Sequence, residues 1–317
     1  MGIFSSIFGN GTVSEENKFD TLRDDGVRAL QMGELPYAAK CFQAALERQR
    51  DQHVLGLLAE VYLRMENPKE ALPLLEEMTK ESTDLELHLL LAQTQGDLKL
   101  YADEQQTCRT LLTQHPEEPR VLYLAAEAEQ GLDQPFPAIA FLTQCLTLRP
   151  DYERALLLRA RILSGMGQWN EALQDTNALI QAQPEHEDYL LLHAQICTAL
   201  ERWEEAQKDL EKLLELNPFQ GEAVLLLGAI YCQCSLWDKA LTLYNEAIDL
   251  RPDFTDAYKA RGAVKHHLKD DVGAAEDLKH SLELAPEKAA ELDGQYTNVE
   301  NEMKARYRSM NPYGFSI

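Results

Sequence analysis

Apolar and polar residues alternate with a helical period along most of the chain. In the clearest segment, Val224, Leu227 and Tyr231 stand at i, i+3 and i+7, and a second apolar stripe follows at Ala240 and Tyr244. Residues with this spacing lie on one face of a helix. The pattern therefore predicts two short amphipathic helices, each with one buried face, joined by a turn.

This two-helix pattern repeats every 34 positions along the chain. Prolines stand at that interval at six places: Pro116, Pro150, Pro184, Pro218, Pro252 and Pro286. Small residues recur at equivalent places of the units, with the interval shortened to 33 in the first units: Ala92, Ala126, Ala160, Ala194, Gly228 and Gly262 in first helices, and Ala38, Ala71, Ala138, Ala172, Ala206, Ala240 and Ala274 in second helices. Small side chains let packed helices approach closely, and proline ends a helix. A period of this length is typical of a helical repeat array.

The unit GEAVLLLGAIYCQCSLWDKALTLYNEAIDLRPDF, residues 221–254, resembles the tetratricopeptide repeat (TPR) family in its Gly, Tyr, Ala and Pro positions. The resemblance implies an all-α, right-handed superhelical solenoid of about eight helix-turn-helix repeats, whose first helices line a concave face. The units are 19–51, 52–84, 85–118, 119–152, 153–186, 187–220, 221–254 and 255–288. The first three depart from the pattern, since two lack the final proline and the third has Gln95 and Glu104 at places where an aromatic residue and alanine are usual.

The two ends of the chain lie outside the repeat. Residues 1–18 are expected to form a mobile N-terminal segment, 289–310 a polar capping helix, which a stacked array needs, and 311–317 a C-terminal tail. The N-terminus carries Ile3, Phe4, Ile7 and Phe8 and fits the Met-Gly-x-x-x-Ser pattern of myristoylation. A mobile or self-docking tail, contact with a membrane surface and lipidation are all retained as interpretations of this segment.

Composition excludes several classes of protein. There are 53 acidic and 30 basic residues, for a formal net charge of −23, which argues against nucleic acid as a partner because that binding depends on Lys and Arg. No apolar run reaches the ~18 residues of a membrane-spanning helix. The six cysteines show no disulfide-type spacing. They are expected to be thiols in a reducing compartment, which predicts a cytoplasmic location.

No motif of catalysis or metal binding stands out. The sequence has no Gly-rich phosphate loop, no HExxH pair and no nucleophile elbow. Cys232 and Cys234 are two residues apart, so on a helix their sulfur atoms would point about 200° apart. We therefore expect no cofactor, no metal and no catalytic activity.

One stripe of the first helices is not required by the repeat core. It lies one residue after the core stripe, and in the TPR family it faces the concave groove. We call the following set the inner-face residues: the apolar Leu89, Tyr123, Leu157, Leu191 and Leu225, and the basic Arg120, Arg154 and Arg161. The apolar members form either an exposed interaction patch or additional core between neighbouring first helices. The arginines either select carboxylates of a partner or pair with the chain's own acids, for example Glu127 or Asp188.

These observations predict a non-catalytic scaffold or adaptor that binds a peptide segment or helix of a partner protein in the concave groove. The carboxylate clamp of some TPR proteins is absent, since Val27 and Leu57 occupy its two asparagine places, although Arg23 occupies its lysine place. A self-associating structural protein and a membrane-surface assembly factor that uses the apolar N-terminus remain alternatives. The oligomeric state is left open.

Overall fold

The computed structural model describes residues 15–285, with side chains from residue 18. Within this range all regular structure is helical, and there are sixteen helices. They are α1 (Glu15–Gln31), α2 (Leu35–Arg48), α3 (Gln52–Arg64), α4 (Pro68–Thr79), α5 (Leu85–Asp97), α6 (Tyr101–Gln114), α7 (Pro119–Gly131), α8 (Pro135–Leu148), α9 (Glu153–Gly165), α10 (Trp169–Ala182), α11 (Glu187–Ala199), α12 (Trp203–Leu216), α13 (Gly221–Gln233), α14 (Trp237–Leu250), α15 (Thr255–His267) and α16 (Asp271–Leu284).

The helices form consecutive pairs with a constant repeat length. From α5 onward the first helices begin at one regular interval, the same as that of the prolines: Leu85, Pro119, Glu153, Glu187, Gly221 and Thr255. The prolines at 116, 150, 184, 218 and 252 each lie two residues beyond the last residue of a second helix. The predicted all-α helix-turn-helix repeat fold is therefore confirmed.

The turn inside each pair contains one residue in the left-handed region. These residues are Gly33, Glu66, Lys99, Asp133, Gly167, Glu201, Ser235 and Lys269, with φ between 55° and 78°. The first two intervals between them are each one position shorter than the later ones. Only two of the eight are glycine, so six turns hold an L-residue in a conformation that costs roughly 1–2 kcal/mol each.

The chain divides into two compact units, residues 1–155 and 156–317. In the first unit, α1 to α8 pack in sequence, each against the next, and α5 also touches α7. In the second unit, α10 to α16 pack in the same sequential way, and α13 touches both α11 and α15. Direct contact between successive first helices brings equivalent places of adjacent repeats close together.

Small residues occupy the helix crossings, as their phase in the sequence predicts. The alanines of the second helices, from Ala38 to Ala274, are all fully buried. At Gly228 an added Cβ would collide with the Tyr244 ring of the paired helix. Glu104 occupies the alanine place of α6 and is fully buried. Gly96 makes room for it, because a Cβ there would lie 3.0 Å from both Glu104 carboxylate oxygens.

The predicted N-terminal segment, capping helix and C-terminal tail fall wholly or largely outside the described residues, as does Pro286. The one overlap is at residues 15–18, which belong to the first turn of α1 although the sequence placed them in the N-terminal segment. A search of the described residues finds no helix with the length and apolarity needed to cross a membrane.

Candidate functional site

The two apolar inner-face residues of the first unit are largely covered by the protein itself. Leu89 on α5 and Tyr123 on α7 are each only 7% exposed. The two helices that carry them are in direct contact. Burial at these two places agrees with the second sequence interpretation, in which the stripe adds core between neighbouring first helices.

Tyr123 also has aromatic and basic neighbours. Its ring centroid lies 5.6 Å from that of Tyr152, and the guanidinium carbon of Arg154 lies 4.7 Å from the Tyr123 centroid. Burial, with a smaller contribution from the Glu127 charge, raises the pKa of Tyr123 to about 12. Arg154 is thus held by a ring of its own unit, a geometry that provides cation–π stabilisation.

Arg120 pairs with acids of its own unit. Its Nη1 donates to both carboxylate oxygens of Glu86, at 2.8 and 2.9 Å, and its Nε donates to Glu118 at 2.8 Å. Glu86 holds the place in the preceding repeat that is equivalent to Arg120. The Arg120 and Glu86 side chains are 41% and 67% exposed, so this ion pair is weak enough for a competing carboxylate to replace it.

The inner-face residues of the second unit are more accessible. Leu157 on α9, Leu191 on α11 and Leu225 on α13 are all half-buried. Arg161 on α9 is exposed and has no ion pair with any residue between 18 and 285. Apolar groups that remain partly in water, beside an exposed guanidinium, are suited to contact a partner.

A buried ion pair recurs inside the repeats of the second unit. Arg159 on α9 donates two hydrogen bonds to Asp175 on α10, at 2.8 and 2.7 Å. Three repeats later, Arg261 on α15 donates to Asp277 on α16 at 2.9 and 2.6 Å. Both aspartates are almost completely buried. Each therefore needs a cationic partner, because an isolated buried charge is strongly unfavourable.

The repeat that directly follows keeps the aspartate of this pair, as Asp209, but not the arginine. His193 replaces the arginine, and its Nδ1 contacts the carboxylate of Asp209. The other ring nitrogen, Nε2, lies 3.1 Å from Asn177 Oδ1 of the preceding repeat, and Cys197 lies one turn further along α11. The sequence analysis missed this cluster. Its only signal is a His-x-x-x-Cys spacing on one helix and a Glu-x-x-x-Asp spacing on the next.

The comparisons with known proteins identify the repeat type in three stretches. Family models match residues 24–86 as a tetratricopeptide repeat, residues 137–213 as subunit 3 of the anaphase-promoting complex or cyclosome, and residues 228–268 as a TPR repeat. A search of curated protein sequences finds no match.

Solved structures share the fold at low sequence identity. The C-terminal part of a TPR repeat-containing protein from Cytophaga hutchinsonii aligns with a TM-score of 0.62 and 16% identity, over 75% of this chain and 98% of that one. PilF of Pseudomonas aeruginosa aligns with a TM-score of 0.52 and 20% identity, over 66% and 96%. A MamA protein gives 0.51 and 19%, over 57% and 97%. Together with the three family matches and the regularly repeated helix pairs, these alignments identify the chain as a tetratricopeptide-repeat protein.

Proposed function

We propose that the chain is a non-catalytic scaffold that binds a peptide segment or helix of a partner protein. TPR proteins generally act in protein interaction, which gives the broad class. The observation that carries the specific proposal is the row of half-buried leucines, Leu157, Leu191 and Leu225, at one place in three successive first helices. Leu89 and Tyr123, which lie in the first unit, are buried and are not part of this leucine row.

A basic residue near the leucines indicates that the partner segment also carries an acidic residue. Arg161 is exposed beside the leucine row, and a guanidinium binds a carboxylate in a two-pronged geometry. In the first unit, Arg120 and Arg154 are held by residues of that unit, so the proposal does not depend on them. We therefore infer a partner segment with apolar anchors and at least one acidic residue, and we propose that it is met in the cytoplasm.

The test is selection from a peptide library followed by binding measurements. Peptides selected on the full chain are labelled, and their affinity is measured by fluorescence anisotropy for the wild type and for the double variant Leu191→Asp, Leu225→Asp. We expect enrichment of apolar and acidic residues, and a loss of affinity of at least about tenfold in the variant, because a carboxylate in the apolar contact is desolvated without a partner.

A matched control separates surface from core. Leu216 ends α12, is 43% exposed and lies outside the inner-face residues, so Leu216→Asp is expected to leave peptide binding and thermal melting unchanged. The melting temperature of the double variant should fall by only a few degrees. Collapse of its helical signal at room temperature would assign Leu191 and Leu225 to the core and overturn the proposal.

A further inference from the structure

Four side chains with metal-binding atoms converge inside the repeat formed by α11 and α12. His193 and Cys197 are four residues apart on α11, and Glu205 and Asp209 are four residues apart on α12. Residues with this spacing lie on the same helix face. Since α11 and α12 pack against each other, the two pairs face one another across the helix crossing.

The ligand atoms lie near one another but are wider apart than in a metal-bound tetrahedron. Cys197 Sγ lies 3.7 Å from Nδ1 and 3.8 Å from Nε2 of His193. Single ligand atoms of His193, Cys197 and Glu205 lie within 4.8 Å of one another, and Asp209 contacts His193 Nδ1 directly. Ligands bound to Zn²⁺ at about 2.0–2.3 Å in a tetrahedron are roughly 3.5 Å apart. To complete the set, Glu205 would have to leave Arg202, and Asp209 would have to exchange its contact with His193 Nδ1 for the metal.

A later repeat carries two cations at the places of His193 and Cys197. Two repeats later, Arg261 and Lys265 occupy the places of His193 and Cys197, and both cations contact the buried Asp277; the Lys265 Nζ distance is 2.9 Å. In the α11–α12 repeat, the equivalent carboxylate of Asp209 faces an imidazole and a thiol. Two side chains that bind metals thus stand where the later repeat has two permanent positive charges.

We propose that the α11–α12 repeat binds one Zn²⁺ through His193 Nδ1, Cys197 Sγ and the carboxylates of Glu205 and Asp209. Imidazole, thiolate and carboxylate together are the ligand set of zinc. With zinc bound, Nδ1 would carry no proton and Nε2–H would donate to Asn177 Oδ1, as zinc-bound histidines generally donate their other ring N–H. The ion takes the place of the cations found in the equivalent repeats.

The site is open to solvent on one side, and metal binding would be coupled to proton release. Glu205 is 47% exposed and now receives two hydrogen bonds from Arg202, each of 2.7 Å, so the site is reached from solvent at this carboxylate. When zinc binds, the Cys197 thiol and the His193 Nδ1 group each release any proton they carry. Because protons compete with the metal for these atoms, zinc affinity should increase with pH.

The experiment uses the full-length reduced chain, freed of metal by a chelator and titrated with Co²⁺ as a spectroscopic probe, followed by displacement with Zn²⁺. We expect one equivalent of tetrahedral Co²⁺ with a thiolate charge-transfer band. His193→Arg copies Arg159 and Arg261 and should fold normally, but its affinity should be lower by at least about tenfold. Cys197→Ser should lose the charge-transfer band.

The control is the double variant Cys232→Ser, Cys234→Ser, which removes the other closely spaced cysteines and should keep both the band and the stoichiometry. A wild type that shows no band at one equivalent would overturn the proposal, and so would a band that survives Cys197→Ser. Equal rises in melting temperature with Zn²⁺ for the wild type and for folded His193→Arg would also overturn it.

Discussion

Glu104 provides a sharp test of the packing at the third repeat. It stands on α6 at the place that holds alanine in seven other repeats, it is fully buried, and neither carboxylate oxygen has a hydrogen-bond partner among residues 18–285. Burial, with the charges of Glu127 and Asp97, raises the pKa of Glu104 from 4.5 to about 8. The folded protein should therefore hold this side chain as a neutral acid at pH 7.

The size and sign of the effect follow from proton linkage. The unfolded chain releases the Glu104 proton near pH 4.5, whereas the folded chain keeps it to about pH 8. The contribution of Glu104 to stability is therefore most favourable below pH 4.5, falls as the pH rises to about 8, and levels off above it. At about 1.4 kcal/mol per pKa unit, the loss is on the order of 3 kcal/mol at pH 7 and 5 kcal/mol above pH 8.

The measurement is denaturant unfolding of the wild type and of Glu104→Gln at pH 5, 7 and 9. Glutamine keeps the volume of the side chain and removes its ionisation. We expect the free energy of unfolding of the variant to exceed that of the wild type by a margin that grows by several kcal/mol between pH 5 and pH 9.

Asp103→Asn on the same helix is the control, because Asp103 is exposed. It accounts for the loss of one negative charge from an acidic chain and should change the stability by less than about 0.5 kcal/mol at every pH. A difference between the wild type and Glu104→Gln that is independent of pH would refute the reasoning. It would mean that Glu104 is ionised in the folded protein.

Three further predictions concern the repeat scaffold and are measured by the same unfolding experiment. Lys99→Gly should stabilise the protein by about 0.5–1 kcal/mol, because Lys99 has φ 59° and glycine adopts this conformation without steric cost; a loss of stability would contradict this. Gly228→Ala should destabilise by about 1–3 kcal/mol, because the new methyl group meets Tyr244. Arg159→Ala should lower the free energy of unfolding by about 3 kcal/mol or more, because Asp175 is left buried without this partner. Arg261→Ala should lower it by less, because Lys265 still contacts Asp277, and the reverse order would contradict the ion-pair argument.

The sequence predicts the fold well because its strongest signals are local and periodic. A proline that recurs at a fixed interval indicates where helices end, and a recurring small residue indicates where they cross. The slightly shorter interval that separates Gly33, Glu66 and Lys99 is harder to find, since two of these three turns carry no glycine.

The candidate site is less predictable because it depends on neighbours that are distant in sequence. Leu89 and Leu225 occupy the same repeat place, yet one is buried and the other half-buried. The pairing of Arg120 with Glu86 joins two repeats and follows from no single motif. The cluster around His193 and Cys197 joins two helices whose residues are individually ordinary, so it becomes visible only after the helices are paired.

The packing of each repeat against its neighbouring repeats also bears on how such a chain gains or loses length. Excision of residues 221–254 would join α12 directly to α15 at the same phase of the repeat. Arg261, whose Nη1 now donates to Asn245 at 2.8 Å, would then face Glu211, which holds the place of Asn245 in the preceding repeat and at present accepts a hydrogen bond from Tyr231. An amide contact would be exchanged for a salt bridge at the new junction. Deletion of this whole module would therefore shorten the protein without leaving Arg261 unmatched at the new junction.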